Sequence, residues 1–172
     1  LALKGFDLTV GCARLSGSMS AQPSGISVIR YRSFPMKFSL AGKKYDAPWY
    51  PQAVWTVIRS RPQIVVLEGS TNFLNNLFLL PVAKLLGANV VWWDAGRRAG
   101  AHPNRFRRMA DPVINRMMRW SDQCIAYSTL ARDYMVEAGV QIDRVTIAFN
   151  TLDTSRILSA GDDQGAFRKE LL

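Results

Sequence analysis

Four short apolar runs recur from residue 63 onward, and a segment with helical periodicity separates each from the next. Continuous apolar runs are typical of strands inside a parallel sheet, and residues 63–67 predict a strand buried on both faces. The helices between them supply the crossovers that parallel strands require. We therefore predict an α/β fold, a Rossmann-like parallel sheet with helices on both faces. The predicted strands are residues 63–67, 89–93, 123–127 and 145–149.

The first sixty residues are less regular. Residues 6–12 and 26–31 are apolar and β-branched, which predicts two further strands. Residues 32–50 mix aromatic side chains with Lys, Pro and Gly, and we interpret them as a long loop. Pro51 suits the first position of a helix that runs to Ser60.

Helix boundaries can be predicted from capping residues. Ser70 or Thr71 is expected to cap a helix that ends at Gly87. Asp111 followed by Pro112 is a typical helix start, so the arginine-rich region divides into a short helix or loop and a helix over residues 112–120. Ser128 is expected to cap the next helix, which ends at Gly139.

The composition is that of one globular domain. The chain has 172 residues, of which 48% are hydrophobic and 20% charged. Its two cysteines, Cys12 and Cys124, both fall in predicted strands, which favours reduced, buried thiols over a disulfide. A single histidine and no close cysteine pair exclude the usual zinc patterns, and no apolar run reaches the ~18 residues of a membrane-spanning helix.

The net charge of +9 is concentrated in one segment. Residues 97–119 contain seven arginines and one aspartate. A basic cluster of this kind favours anionic partners: phosphate groups, acidic lipid or nucleic acid.

Ligands of an open parallel sheet bind beyond the carboxyl ends of its strands, and this rule selects five places: residues 13–17, the loop at Arg32, and residues 68–70, 94–98 and 150–153. Glu68 could accept a hydrogen bond from a sugar hydroxyl or act as a base, and the alternative is an ion pair with a nearby arginine. Asp94 precedes Arg97 and Arg98, which could clamp an anionic group, and Asp94 could instead neutralise one of them. Ser70 is a candidate phosphate contact as well as a helix cap.

Catalytic residues are not fixed by these patterns. Asp94 and Glu68 are candidates, and His102, the single histidine, is a third because a loop imidazole can act as a general acid or base. The alternative for His102 is a solvated loop residue.

The arginine-rich segment also predicts a membrane-facing surface. The helix over residues 112–120 has an apolar face opposite a basic one, and its basic residues extend the upstream cluster. An ordinary half-buried helix is the alternative. The predicted membrane-facing residues are Arg105, Arg107, Arg108, Arg116 and Arg119.

Nucleic acid is a less favoured partner. The loop predicted before Pro51 interleaves aromatic and cationic residues, as single-strand binders do, but no recognised nucleic-acid motif accompanies it. A loop that binds a glycan acceptor would have the same composition.

Several segments, taken in order, resemble the N-terminal domain of family 4 glycosyltransferases of the GT-B fold. The last of them, Asn150-Thr-Leu-Asp153 after a β-branched run, is similar to the point where that family's first domain passes into the interdomain linker. One departure is Asp94-Ala95-Gly96, where the family often has a histidine near Ala95. The resembling segments are residues 64–67, 83–87, 90–93, 121–128, 134–140 and 144–153.

The resemblance implies an acceptor-side domain over residues 1–153, whose first strand lies before Leu1, and a linker with the start of a second domain over residues 154–172. Asn150 and Asp153 would shape the hinge. The donor would be a nucleotide-sugar bound mainly by the second domain, with no metal and no other cofactor. The acceptor would be a glycan or a lipid-linked molecule.

We therefore expect a cytoplasmic glycosyltransferase domain, peripheral on the inner face of a membrane, that transfers no sugar by itself. The alternative is a non-catalytic module that binds an anion, acidic lipid or nucleic acid. The sequence indicates neither the sugar, the acceptor and the linkage nor the oligomeric state.

Overall fold

The computed structural model describes residues 7–13, 26–40, 43–69, 72–96 and 105–149. They form eight strands and four α-helices, and the final strand is preceded by a 3-10 turn, Ile142–Arg144. In chain order the elements are β1 (Thr9–Ala13), β2 (Ser27–Tyr31), β3 (Phe34–Leu40), β4 (Lys43–Trp49), α1 (Pro51–Ser60), β5 (Ile64–Glu68), α2 (Phe73–Leu85), β6 (Asn89–Asp94), α3 (Arg105–Trp120), β7 (Gln123–Ala126), α4 (Thr129–Glu137) and β8 (Val145–Ile147).

The main sheet confirms the predicted α/β fold. Its four strands are parallel and lie in the order β5-β6-β7-β8, so each strand pairs with the next one along the chain. A helix joins β5 to β6, β6 to β7 and β7 to β8. The predicted strands are confirmed to within two residues at each end. A parallel sheet flanked by helices therefore occupies the C-terminal part of the described chain.

The hydrophobic core lies on one face of this sheet. The register aligns Leu67 with Trp92 and Trp92 with Cys124, and all three are buried together with side chains of α2, α3 and α4. The expectation that the first of these strands is buried on both faces is wrong, because Ile64 and Val66 on its other face are exposed. β5 is also an edge strand of its sheet.

β1 and β2 form a separate parallel pair, which confirms the two strands predicted near the start of the chain. Tyr31, at the end of β2, is buried. Cys12 lies in β1 and is half-buried, whereas Cys124 in β7 is fully buried, and both are free thiols. Burial raises the pKa of Cys124 to about 11.

The long loop predicted over residues 32–50 is wrong. The structure has an antiparallel hairpin there, in which β3 pairs with β4 from Phe34 opposite Trp49 to Leu40 opposite Lys43. An apolar residue occurs at every second position of Phe34-Pro-Met36-Lys-Phe38-Ser-Leu40, and this period of two is the strand signal that the mixed composition concealed. Gly42 near the middle of the segment is typical of a hairpin connection.

The helix start predicted at Asp111 and Pro112 is also wrong, since α3 is a single helix that contains both residues. Pro112 removes one backbone donor and strains the preceding turn. Packing of Ala110, Ile114 and Met118 in the core outweighs that local cost, because tertiary burial commonly overrides helix propensity.

Two predicted caps have different outcomes. The Ser128 hydroxyl accepts a hydrogen bond from the Ala131 backbone N–H at 3.2 Å, which confirms it as the cap of α4. Ser70 and Thr71 lie outside the described residues, and Asn72 precedes the first residue of α2. Over the described ranges, no helix is both long and apolar enough to cross a membrane.

Candidate functional site

Three neighbouring strands end at the same edge of the main sheet. Glu68 is the last residue of β5, Asp94 is the last residue of β6, and Tyr127 directly follows β7. Because the strands are parallel and adjacent, their carboxyl ends lie along one edge of the sheet, where the register pairs Glu68 with Trp93 and places Asp94 on the opposite face. In the structure, the carboxyl edge where the site is predicted therefore carries Glu68, Asp94 and Tyr127.

Asp94 is held inside the fold. Its side chain is only 4% exposed, and Oδ1 accepts a hydrogen bond from the Gly96 backbone N–H at 2.9 Å while Oδ2 accepts one from the Trp92 indole at 3.3 Å. A Cβ atom added to Gly69 would lie 2.1 Å from Asp94 Oδ2, so only glycine lets the carboxylate pack against the end of β5. Asp94 thus fixes the start of the loop that leads toward Arg97.

Glu68 has the opposite environment. Its side chain is exposed, and Oε2 accepts a hydrogen bond from the Asn72 amide at 2.7 Å. Within the described ranges Glu68 forms no ion pair. The carboxylate is therefore oriented by one amide and retains acceptor capacity toward solvent.

A cavity of about 300 Å³ adjoins Glu68. It lies between β5, the end of the β1–β2 pair and the start of α2. Its polar lining is a carboxylate and three amides, and its aromatic lining is two tyrosines. The lining residues are Cys12, Tyr31, Tyr50, Ala53, Val66, Leu67, Glu68, Asn72, Asn75, Asn76 and Leu79.

Two buried amides hold this cavity in shape. The Asn76 side chain donates to the carbonyl of Glu68 at 2.6 Å. Asn75 accepts from the Tyr50 backbone N–H at 2.7 Å and donates to the Pro48 carbonyl at 2.8 Å. These bonds tie α2 to both the end of β5 and the end of the hairpin. Burial without such partners would be costly for an amide, so each fixes a backbone position.

Tyr127 and Trp93 extend the site along the sheet edge. Their ring centroids are 5.0 Å apart. Burial raises the pKa of Tyr127, and the negative charges of Glu68 and Asp94 raise it further. The phenol is therefore a hydrogen-bond donor at neutral pH, close to the two carboxylates.

Sequence reasoning missed most of this lining. Asn72, Asn75 and Asn76 stand at the start of an otherwise apolar helix, and such amides are informative because a buried helix rarely keeps polar groups without partners. Tyr127 is the last residue of the strand predicted over residues 123–127, so the carboxyl-edge rule points to its position as well.

Six predicted site residues lie outside the described residues: Ser70, Arg97, Arg98, His102, Asn150 and Asp153. Glu68 and Asp94 are thus the predicted candidates that the structure describes, both at the carboxyl edge of the sheet. Among described residues, no group of histidine, cysteine and carboxylate side chains could hold a metal ion.

The basic helix α3 contains all five predicted membrane-facing arginines. For Arg105, Arg107 and Arg108 the structure describes the helical backbone only. Arg116 is exposed. Arg119 is exposed too, but its guanidinium donates to the carbonyl of Ala138 at 3.0 Å and so also serves the end of α4.

Comparison with known proteins gives one result. A family model described as Glycosyltransferase Family 4 matches residues 1–156, which include every described element. The match corresponds to the N-terminal domain of a GT-B glycosyltransferase. No curated protein matches the chain significantly.

Proposed function

Because the chain belongs to glycosyltransferase family 4, we propose that this domain binds the acceptor in a sugar transfer from a nucleotide-sugar. The acceptor, a glycan or the glycan head of a lipid-linked molecule, occupies the cavity beside Glu68. The nucleotide-sugar is bound mainly by a second domain outside these residues, and neither a metal nor another cofactor takes part.

The chemistry of the cavity is the observation that carries this proposal. Glu68 and Asn72 present oxygen and nitrogen atoms that can bond several hydroxyl groups of one sugar ring. Tyr31 and Tyr50 supply aromatic surface for the ring's apolar side. The volume of about 300 Å³ lies at the lower end of the range for ligand pockets.

The individual roles follow from burial. Glu68, exposed and oriented by Asn72, accepts a hydrogen bond from an acceptor hydroxyl and is the candidate base. Asp94, buried and fully engaged, holds the start of the loop after β6. Arg97 and Arg98, which follow Gly96 in the sequence, are the candidate contacts to the donor phosphate. Ser70 and His102 stay candidates for phosphate contact and for acid–base chemistry.

The domain arrangement is part of the same proposal. Residues 1–153 form the acceptor-side domain, and residues 154–172 lead into the donor-side domain. Asn150 and Asp153 form the hinge between them. Closure about this hinge would bring the donor to the carboxyl edge of the sheet, beside the cavity proposed to bind the sugar acceptor.

The protein works on the cytoplasmic side of a membrane, held there peripherally. The net charge of +9 and the arginine cluster of residues 97–119 support contact with anionic lipid. Arg105, Arg107, Arg108, Arg116 and Arg119 are one candidate contact surface.

Sugar binding is tested by saturation-transfer NMR of the 172-residue chain with the methyl glycosides of glucose, galactose, mannose and N-acetylglucosamine. We expect at least one to bind, and Glu68→Gln to weaken it about tenfold, because a charge-assisted hydrogen bond is lost. Glu137→Gln, which removes an exposed carboxylate from α4, is the matched control. Binding of none of the four, or equal binding by wild type and Glu68→Gln, would contradict the proposal.

Transfer is tested separately. The 172-residue chain should not turn over any nucleotide-sugar, and turnover would show that the donor site lies within these residues. A single-stranded DNA shift assay over a series of salt concentrations tests the nucleic-acid alternative. Strong DNA binding without glycoside binding would favour a non-catalytic anion-binding module.

A further inference from the structure

The β3–β4 hairpin has two chemically different faces. Its register places Phe34 opposite Trp49 and Met36 opposite Ala47, so these four residues share one face. We call this set the hairpin face. The pairs Phe38 with Tyr45 and Leu40 with Lys43 continue the same register positions. The alternate positions carry Pro35, Lys37 and Ser39 opposite Pro48, Asp46 and Lys44.

The hairpin face is exposed to solvent at the start of β3. Phe34 is 41% exposed and Met36 is 45% exposed, although both are large and apolar. A two-stranded hairpin has no second layer of its own to cover such a face. An exposed apolar face of this kind marks an interaction surface.

The apolar surface continues onto α2. The Trp49 and Phe78 rings contact each other, with centroids 6.3 Å apart. Phe78 and Leu85 are both exposed and, seven residues apart, lie two helical turns from each other on one side of α2. The hairpin face and this strip of α2 therefore form one apolar surface.

The charge of the same region is strongly positive. Residues 26–50 contain five cations, Arg30, Arg32, Lys37, Lys43 and Lys44, and one acid, Asp46. The Arg32 guanidinium lies over the Phe34 ring, 5.7 Å from its centroid, so one positive charge borders the exposed apolar face directly. α2 contains no acidic residue.

We propose that the hairpin face and the adjoining strip of α2 dock onto an anionic membrane surface. Aromatic and aliphatic side chains would enter the interfacial layer while Arg32 pairs with lipid headgroups. A second copy of the chain fits less well, because a symmetric contact would bring two cationic borders together. The proposal rests on the membrane part of the proposed function and names a surface other than the basic side of α3.

Vesicle flotation of the 172-residue chain tests it, with phosphatidylglycerol-containing against pure phosphatidylcholine vesicles. We expect binding to the anionic vesicles and about a tenfold loss in the double variant Phe34→Ser, Met36→Ser, because two half-exposed apolar side chains are removed. The control is Leu130→Ser, Ile142→Ser, since both residues are 64% exposed elsewhere on the molecule. It should bind like wild type.

The contribution of positive charge is tested by a second pair of variants. Arg32→Gln should weaken binding to anionic vesicles, whereas Arg132→Gln, which removes a half-buried arginine of α4, should not. Full binding by the Phe34, Met36 variant with loss in Val113→Ser, Arg116→Gln would place the contact on α3 and overturn the proposal. So would concentration-dependent self-association that the Phe34, Met36 variant abolishes, without any vesicle binding.

A labelling experiment covers the case in which the double variant does not fold. In a Cys12→Ser background, a polarity-sensitive dye is attached to Met36→Cys or to its neighbour Lys37→Cys, which occupies the opposite face. Anionic vesicles should shift the emission of the first to the blue and leave the second unchanged. Equal responses would overturn the proposal. Glycoside binding by Arg32→Gln, which keeps Cys12 in the cavity lining, separates this result from the sugar site, because a membrane variant should retain it.

Discussion

The two edges of the main sheet use charged residues in opposite ways. At the amino edge, Asp122 accepts from the Lys84 ammonium at 2.5 Å and from the Val90 backbone N–H at 2.7 Å. Arg144 donates to the carbonyls of Asp122, Arg119 and Ser121. Each of these charged side chains bonds to other groups of the protein, and these bonds connect α2 and α3 to the strands.

At the carboxyl edge, one carboxylate is buried and hydrogen-bonded, and the other is exposed to solvent. Asp94 is buried among partners, whereas Glu68 is exposed and holds one described hydrogen bond, from Asn72. Residue type alone therefore does not separate structural from ligand-binding carboxylates in this sheet. An acidic residue at the amino edge serves stability, and one at the carboxyl edge can serve a ligand.

The largest effect is expected at the amino edge. Asp122→Ala should lower the free energy of unfolding by about 2 kcal/mol, because it leaves the buried Val90 N–H without its acceptor. The side chain of Asp122 is 36% exposed, which screens its attraction to Lys84 and keeps the loss from being larger. Urea denaturation measures it. Asp133→Ala, which breaks an exposed ion pair with Arg132, should cost less than about 0.5 kcal/mol, and equal losses would refute the distinction.

Gly69→Ala should have the next largest effect, about 1–2 kcal/mol, because the new methyl group overlaps the Asp94 carboxylate. It should also displace the start of the loop after β6 and therefore weaken glycoside binding. Urea denaturation and saturation-transfer NMR on the same protein measure the two results. A protein with unchanged stability and unchanged binding would show that Asp94 is not a fixed element of the site.

Acid should weaken the amino edge. Burial tends to raise the pKa of Asp122, but the Lys84 and Val90 hydrogen bonds and the charges of Lys84 and Arg144 lower it below 3.8. A carboxylate with a depressed folded-state pKa stabilises the fold above its unfolded-state pKa and loses that contribution as pH falls through the folded-state value. Asp122→Asn should therefore flatten the fall of the urea midpoint below pH 3.8. Asp133→Asn, the surface control, should keep the wild-type fall.

The main sheet was predictable because its strands are continuous apolar runs, and such runs do not depend on distant residues for their interpretation. The hairpin was missed because Pro, Lys and Gly are interspersed among its aromatic residues, while the period of two in Phe34, Met36, Phe38 and Leu40 carries the signal. The start of α3 was misplaced at Pro112 because a local stop signal cannot show how strongly Ile114 and Met118 pack.

The place of Glu68 and Asp94 at the carboxyl edge was predictable, but the difference between their surroundings was not. The carboxyl-edge rule selects Glu68 and Asp94 equally. What separates them is three-dimensional: Gly69 leaves room for Asp94, and the Trp92 indole and Gly96 N–H engage its oxygens. These contacts arise from pairing of β5 with β6, which no local pattern reveals.

The smallest effect on stability is expected from Glu68→Gln. It should change the free energy of unfolding by less than about 0.5 kcal/mol, because the side chain is exposed and its amide oxygen can still accept from Asn72. Urea denaturation beside Glu137→Gln measures this. A loss above about 1 kcal/mol would show that Glu68 holds the start of α2 in the way that Asp122 holds the amino edge. Unchanged stability with weakened glycoside binding would instead assign this carboxylate to the acceptor, because a group that the fold does not need is then required by the ligand.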